Sequence, residues 1–488
     1  MSIQLKIKTP TIAELCDIVG GELRIIGDLD PATPITCVTT SSGGAEAGAL
    51  FCAIKGTRVD GADFIPEAVG LGAVCALTQS VPEAATQCGS YCAVVVDDVI
   101  LALGKFAEWY RDLSKATFVA VTGSVGKTAT KEFVASVASV KYKTHKTQGN
   151  YNNELGLPLT LLELAPDDEV SVLELGMSNL GEIEYMSRIA KPDVAIVTNI
   201  GTSHLATLGT RENICKAKLE IATGLSDDGC LLINADEPLL LEQYEKLGKK
   251  TFLLSVYNRI GDYRAMNIRI GAEGITFDMI YDNKPITNID LPVLGKHNVY
   301  NALSAYAVGV ILGLTDDEIR RGLMSFVGAE MRQRIYEVGG LTIIDDCYNA
   351  SPESMRAALD VLASVAGKQG KRPIALLGDM LELGDYSRLM HDQLGQYAAQ
   401  SKVSKLFCYG MMSDIVAEAA IKKGIRAENV FVCLDTRDPQ TMANMILDVA
   451  EDGDVLLVKA SRAVHAEKVI ECLKKKIGKT KLTKPSAE

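Results

Sequence analysis

The pattern of apolar and polar positions divides the chain into three stretches. Residues 1–97 mix short β-rich pieces with turn residues and end in the apolar run Cys92-Ala-Val-Val-Val96. From Asp98 an amphipathic helix is predicted through Tyr110, followed by apolar strands at 118–121, 170–175, 194–198 and 230–233 alternating with helices. Near Arg332 the alternation starts afresh, with strands at 341–344, 374–377, 406–409, 430–433 and 455–458. Such alternation predicts parallel sheets covered on both faces by helices. The expected fold class is therefore α/β in three domains, 1–97, 98–331 and 332–488, the first smaller and the other two built on doubly wound sheets.

Helix ends sharpen the third domain. Ser351-Pro352-Glu353 reads as an N-cap, a proline at the first helical position and an acid in the first turn. Behind it Met355, Leu359, Leu362 and Val365 form an apolar stripe at helical spacing. The loop at 345–350 then lies at the carboxyl end of a strand, where open α/β sheets bind ligands. Residues 298–315 carry no charge over a length that raises a membrane flag. Asn298, Asn301, Ser304, Gly309 and Gly313 within it fit a buried core helix better, and no membrane span is expected.

Composition narrows the class. The chain has 488 residues, 47% hydrophobic and 23% charged, which predicts a folded protein of two to four domains. A net charge of −12 argues against a duplex nucleic-acid partner, which calls for a basic face. An anionic substrate would need local cations or helix N-termini. The one basic cluster, Lys474, Lys475, Lys476, Lys479, Lys481 and Lys484, is expected to be a solvated, frayed end. Twelve cysteines without redox or zinc spacing predict free thiols in a reducing cytoplasm. Glu14 and Asp17 interrupt the N-terminal stretch before it resembles a secretory signal.

The chemistry is concentrated in Ala120-Val-Thr-Gly-Ser-Val-Gly-Lys-Thr128, which joins a predicted strand to a helix with apolar face Phe133, Val134, Val137 and Val140. Gly123 and Gly126 let backbone N–H groups curl around phosphate oxygens. Lys127 offers a point charge to the β and γ phosphates, and the Thr128 hydroxyl suits Mg²⁺. Thr122, Ser124 and Val125 complete the expected ATP-binding loop. A glycine-rich turn with a surface lysine is the plain alternative; the flanking strand and helix favour a nucleotide site. Val121 stands where the longer phosphate-loop pattern has its first glycine, so the loop is a shortened variant.

Phosphoryl transfer needs metal ligands near such a loop. Glu174, closing a strand, suits Mg²⁺ because that ion prefers oxygen. His204, in a loop after another strand, reads on its own as a structural hydrogen bonder. Lys218, on a helix with Ile214, Leu219 and Ala222, reads on its own as a solvated charge.

Taken together, the loop, Glu174, His204 and the helix of Lys218 resemble the Mur ligases, ATP-dependent enzymes of peptidoglycan precursor synthesis. Four further blocks resemble the dipeptide-adding branch of that family: Lys146-Thr-Gln-Gly-Asn-Tyr-Asn-Asn-Glu-Leu-Gly-Leu-Pro158, Gly295-Lys-His-Asn-Val-Tyr-Asn301, Asp345-Asp-Cys-Tyr-Asn-Ala-Ser-Pro-Glu-Ser354 and Leu377-Gly-Asp-Met-Leu-Glu-Leu-Gly384. The resemblance implies an N-terminal domain for the uridine-diphosphate end of the substrate, a central ATPase domain and a C-terminal Rossmann-like domain. It implies that Lys127 and Thr128 hold ATP and a first Mg²⁺, joined by Glu174. His204 and a carbamylated Lys218 would then serve a second ion, which reverses the plain reading of both. Asn298 and Asn301 would contact the nucleotide, Asn301 at the adenine, and Arg332 and Asp346 would reach it from the third domain. Thr147, Asn150, Asn152 and Asn153 would line the nucleotide-peptide substrate, with Asn349 near the incoming dipeptide.

The implied reaction is ATP-dependent, ADP-forming ligation of D-alanyl-D-alanine to UDP-N-acetylmuramoyl-tripeptide through an acyl phosphate, supplying cell-wall synthesis. A site split between domains would close before reaction and keep water from that intermediate. The expected enzyme is a cytoplasmic monomer. Two departures stand out. Thr39-Thr-Ser-Ser-Gly-Gly44 and Gly48-Ala-Leu-Phe51 replace the family's Asp-Ser-Arg-like run and Gly-Asp-Leu-Phe, so an arginine is missing, although Asp60-Gly61 and Phe64 fit. Ala460 stands where a glycine is usual. The rival readings are a superfamily ligase adding a single amino acid, folylpolyglutamate synthase among them, and a non-catalytic nucleotide-gated scaffold.

Overall fold

Three sheets follow from these alternating runs in a computed structural model, which describes residues 2–257, 260–271, 274–328 and 331–477. The first sheet has six strands in the order Ile3–Gln4, Cys37–Thr39, Ala49–Cys52, Ala73–Thr78, Tyr91–Val95 and Glu22–Ile26. Its inner pairs are parallel and its two outermost pairs antiparallel.

Helix Val99–Asp112 joins the first sheet to the second. The Asp98 carboxylate accepts from the N–H groups of Ile100 and Leu101 at 2.8 and 3.0 Å, satisfying donors that a helix start leaves orphaned. Phe106, Ala107 and Tyr110 are buried in a core shared by both sheets. The Tyr110 hydroxyl accepts from the N–H groups of Lys6 and Ile7, both at 2.7 Å, fixing the N-terminal segment to that core.

The central sheet has nine strands, and the elements that position its chemistry are β1 (Thr117–Thr122), α1 (Lys127–Ala138), β2 (Val170–Glu174), β3 (Val194–Val197), α2 (Arg211–Leu219) and α3 (Asn298–Ile311). Parallel pairing aligns Val121 with Glu174 and Thr122 with Val197, so β1, β2 and β3 end level at one edge. The sequence reading had no strands between 233 and 341. Here Tyr263–Ile270, Ile275–Tyr281 and Lys284–Leu291 extend the sheet as antiparallel hairpins. Their half-exposed pattern and bulged register give a weaker signal than the buried parallel strands.

The uncharged stretch forms α3, buried against α1 as expected for a core helix. Phe133 and Phe326 stack at 3.7 Å nearby. No helix among the described residues is long and apolar enough to cross a membrane.

The third sheet contains β4 (Leu341–Asp345), followed by α4 (Pro352–Gln369), β5 (Pro373–Gly378) and β6 (Val455–Lys459). Its order is Arg334–Val338, β4, β6, β5, Lys405–Tyr409 and Val430–Cys433, parallel except for the first pair. The antiparallel edge strand Arg334–Val338 was not legible, being largely exposed. Ser351 caps α4, accepting from the Ser354 N–H at 3.3 Å, and Met355, Leu359, Leu362 and Val365 are all buried beneath it.

The described part of the basic tail differs from the frayed end expected of it. Lys474, Lys475 and Lys476 lie in the last turn of helix Glu467–Ile477, where cations suit the helix dipole, and Lys474 Nζ sits 4.4 Å from the Tyr336 ring. Lys479, Lys481 and Lys484 lie outside the described residues. All twelve cysteines are free thiols.

Candidate active site

The turn after β1 reaches its shape through its glycines and through the loop after β3. Gly123 and Gly126 have φ of 147° and 88°, and a Cβ on Gly123 would lie 1.8 Å from Thr198 Oγ1. Asn199 Oδ1 accepts from the Val125 N–H at 2.9 Å, while Thr198 Oγ1 and Asn199 Nδ2 donate to the Val125 carbonyl at 2.6 and 3.0 Å. The Gly201 N–H donates to Ser124 Oγ at 2.8 Å. Asn199 was not among the expected site residues; its place after a strand end opposite the loop was the available signal.

Lys127 Nζ donates to the Gly123 carbonyl at 2.8 Å, arched over its own turn. Loss of hydration holds its pKa below the ordinary lysine range; Glu174 and Glu382 oppose that shift, and Arg332 adds to it. Thr122 is fully buried and gives its hydroxyl to the Leu175 carbonyl at 2.8 Å, so its side chain braces the strand instead of facing a ligand.

Glu174 is the hub of the site. Its Oε2 accepts from the Thr128 hydroxyl and its Oε1 from Asn152 Nδ2, both at 2.8 Å, and the residue is 2% exposed. Its backbone N–H donates to Thr147 Oγ1 at 3.0 Å. Thr147, expected at the substrate, is fully buried and spends its hydroxyl on positioning Glu174. Lys131, missed in the sequence, is 2% exposed and donates to the Thr147 carbonyl at 2.7 Å from one turn along α1. Asn153 Oδ1 accepts from the Gly156 N–H at 2.8 Å and fixes the turn, while Asn150 is exposed nearby.

Whether Mg²⁺ suits these residues can be judged from Glu174. Among the described residues no cationic side chain lies at ion-pair distance from this buried carboxylate, Lys127 acting on it only from further off, and a buried charge so loosely paired is costly. No three His, Cys, Asp or Glu side chains converge among the described residues. One carboxylate and one hydroxyl fit an ion whose remaining ligands are phosphate oxygens and water.

Lys218 departs from its reading as a solvated charge. It is 1% exposed on α2, and its ammonium has no hydrogen bond or ion pair among the described residues. Burial, and after it the neighbouring Lys127, hold its pKa well below the usual lysine range. Asn298 and Asn301 stand behind the phosphate loop. Asn298 Nδ2 donates to the Leu294 carbonyl and Asn301 Nδ2 to Asn298 Oδ1, both at 2.8 Å. Asn301 Oδ1 accepts from the Thr130 hydroxyl at 2.9 Å. With 4% exposure, Asn301 braces α1 and Gly126 from the core side.

The third domain brings further groups to this edge. Asp346 pairs with buried Lys459 at 2.7 Å, and Lys459 also donates to the Asn349 carbonyl at 2.9 Å, leaving the Asn349 side chain exposed. Arg332 lies 4.0 Å over the Tyr348 ring. Thr202 donates to Glu353 Oε1 at 3.0 Å, and His204 Nδ1 lies 2.8 Å from Glu382 Oε2. Glu382 lies within a quoted motif block and Lys459 beside the unusual Ala460, and neither is singled out by the sequence. Ala460 is fully buried, and a Cβ on Gly378 would lie 2.6 Å from its own Cβ, so the unusual alanine fits because its neighbour is glycine. In the first domain a cavity of about 470 Å³ is lined by Ser41, Ser42, Ile54, Arg58, Val59 and Phe64 among others. Arg58 forms no ion pair among the described residues.

Three family models match the chain: Mur ligase family, catalytic domain, at residues 34–116; Mur ligase middle domain at 121–309; and Mur ligase, glutamate ligase domain, at 331–462. The UDP-N-acetylmuramoyl-tripeptide–D-alanyl-D-alanine ligase of Bacillus subtilis (strain 168) is 37% identical over 466 residues, covering 95% of this chain and 98% of that protein. The ligase of the same name from Escherichia coli (strain K12) is 33% identical, again over 95% and 98%. Among solved structures, MurF from Acinetobacter baumannii superposes with a TM-score of 0.86 at 32% identity, covering 96% of this chain and 99% of that one. MurF ligase from Thermotoga maritima in complex with ADP superposes at 0.79 with 29% identity over 91% and 98%. A Mycobacterium tuberculosis folylpolyglutamate synthase shares the fold at 16% identity and a TM-score of 0.60.

Proposed function

The chain belongs to the Mur ligase family, and on that premise we propose that it joins D-alanyl-D-alanine to UDP-N-acetylmuramoyl-tripeptide with conversion of ATP to ADP and phosphate. The observation that carries this reading is the cluster of Lys127, Thr128 and Glu174 at the edge where the third domain delivers Arg332 and Glu382.

A carboxylate is a poor electrophile. A carboxylate oxygen of the tripeptide attacks the γ phosphorus, and the bond to ADP breaks. The dipeptide amine then attacks the acyl carbon, the bond to phosphate breaks, and the amine proton is released. Lys127 neutralises charge on the transferred group from a fixed position, and Arg332 adds a second cation from the other domain. Thr128 and Glu174 would hold Mg²⁺, which supplies charge neutralisation at the β and γ phosphates. Exposed Asn150 and Asn153 and half-buried Asn152 support a place for the nucleotide-peptide substrate beside Glu174, with Asn349 toward the dipeptide. In the first domain the cavity around Arg58 suits the uridine-diphosphate end, and Arg58 offers a cation that the Thr39-to-Gly44 run lacks.

Lys218 suits carbamylation. A neutral buried amine attacks the carbon of carbon dioxide and releases one N–H proton, and the resulting carbamate would carry the negative charge that a second Mg²⁺, held with His204, requires. The test is ADP formation by purified protein. Rapid formation requiring both the tripeptide nucleotide and D-alanyl-D-alanine is expected; equal stimulation by a free amino acid would contradict the choice of dipeptide.

A further inference from the structure

Lys131 is a lysine where the packing alone asks for none. It is 2% exposed, and replacing a buried charge by an apolar side chain of similar volume is often neutral or stabilising. What the ammonium reaches therefore matters more than the space it fills. Its Nζ donates to the Thr147 carbonyl at 2.7 Å and lies 3.0 Å from Glu132 Oε1. Glu132 Oε2 accepts from Lys146, so that carboxylate keeps a counter-ion whether or not Lys131 is present. The Thr147 carbonyl, in contrast, takes its hydrogen bond from Lys131.

Thr147 opens the turn that leads to Asn152. Its N–H donates to the Val172 carbonyl at 3.0 Å and its hydroxyl accepts from the Glu174 N–H at 3.0 Å, so each of its polar groups is engaged. At the far end the Asn152 carbonyl accepts from the Gly176 N–H at 2.6 Å. A Cβ on Gly156 would lie 2.4 Å from Tyr151 Cα, which presses the turn against helix Gly156–Leu162. Between these anchors Gln148, Gly149, Asn150 and Tyr151 are all exposed. A turn open to solvent and fixed at both ends is a preorganised binding edge, and a ligand that meets it need not order it first.

From this arrangement we propose that Lys131 is a positioning residue for the nucleotide-peptide substrate, fixing Thr147 and through it the exposed turn 148–151. It acts from the buried side of α1 through a backbone carbonyl. Its loss loosens the turn, so the effect falls on affinity for that substrate and spares the chemical step. The proposal rests on the ligase reading, and the test separates the two.

Full-length Lys131→Met and wild type are compared in steady-state ADP formation and in amide hydrogen exchange without substrates. The methionine variant is expected to raise the KM for the tripeptide nucleotide about 10-fold, with kcat and the KM for ATP within about twofold of wild type. Exchange in the segment 147–153 is expected to quicken about 10-fold, as local opening becomes easier. Lys131→Gln, which keeps an N–H donor on a shorter chain, is expected to fall between the two and carries the same comparison should the methionine variant not fold. An unchanged KM for the tripeptide nucleotide or unchanged exchange would overturn the proposal, as would an equal rise in the KM for ATP or a comparable fall in kcat. A wild type that does not bind the tripeptide nucleotide in calorimetry would instead overturn the ligase reading.

Discussion

At the scale of single residues, Lys218 shows how far a side chain can differ from its local sequence. Cys215-Lys-Ala-Lys-Leu-Glu220 contains two lysines; Lys216 is exposed and Lys218 is buried, and nothing in the run separates them except which helix face meets the core. Resemblance to a family singled out Lys218, and helical geometry then explains it. Lys218→Ala should lower kcat by about 100-fold or more, as loss of an electrostatic group at a phosphoryl-transfer site does. With ¹³C-bicarbonate a carbamate resonance should appear in the wild type only. The free amine is the form that reacts, so activity should fall as acid protonates Lys218 and return with bicarbonate at higher pH; a bicarbonate-independent profile would contradict the carbamate.

His145 gives a stability prediction of the same kind. Burial pushes its pKa down to about 4, against an ordinary value near 6.5, with Nδ1 bound to Ser171 Oγ at 3.0 Å. The unfolded chain therefore binds a proton that the folded protein refuses. This contribution is complete above about pH 6.5 and is lost progressively as pH falls toward 4. Denaturant titrations across that window should show the slope, and His145→Gln should flatten it.

At the scale of elements, the buried parallel strands and capped helices were legible because each carried a local signal that agreed with its burial. Ser351-Pro352 announced α4, and Ser351→Ala should cost about 1 kcal/mol in urea unfolding. The hairpins between Tyr263 and Leu291 and the edge strand Arg334–Val338 were not legible, because a half-solvated strand does not present an unbroken apolar run. The phosphate loop was legible as a motif but its support was not. Thr198 fills the space that Gly123 leaves open and Asn199 ties down Val125, contacts that only the pairing of β1 with β3 creates. Gly123→Ala combines a disfavoured φ with that collision. It should cost about 1–3 kcal/mol or more and remove ATP binding by calorimetry.

At the scale of the whole molecule, the three sheets divide the labour of one reaction. On the proposed reading the central edge would hold ATP, the third domain would supply Arg332, Asp346 and Glu382 toward it, and the first domain offers the cavity around Arg58. Arg58→Ala should raise the KM for the nucleotide substrate by about 10-fold and leave kcat unchanged, since it removes binding remote from the reacting atoms. A comparable fall in kcat would place Arg58 elsewhere in the mechanism. Which domains meet is the part a sequence conveys least. Thr202 and Glu353 are 151 residues apart, and their contact depends on two folded sheets being docked.

The central claim is that the terminal phosphoryl group of ATP passes to the substrate carboxylate before the peptide bond forms. Tripeptide nucleotide labelled with ¹⁸O in the accepting carboxylate tests this directly, by mass analysis of the phosphate released in the presence of D-alanyl-D-alanine. One labelled oxygen in each phosphate is the predicted result. Unlabelled phosphate accompanying peptide-bond formation would contradict the account.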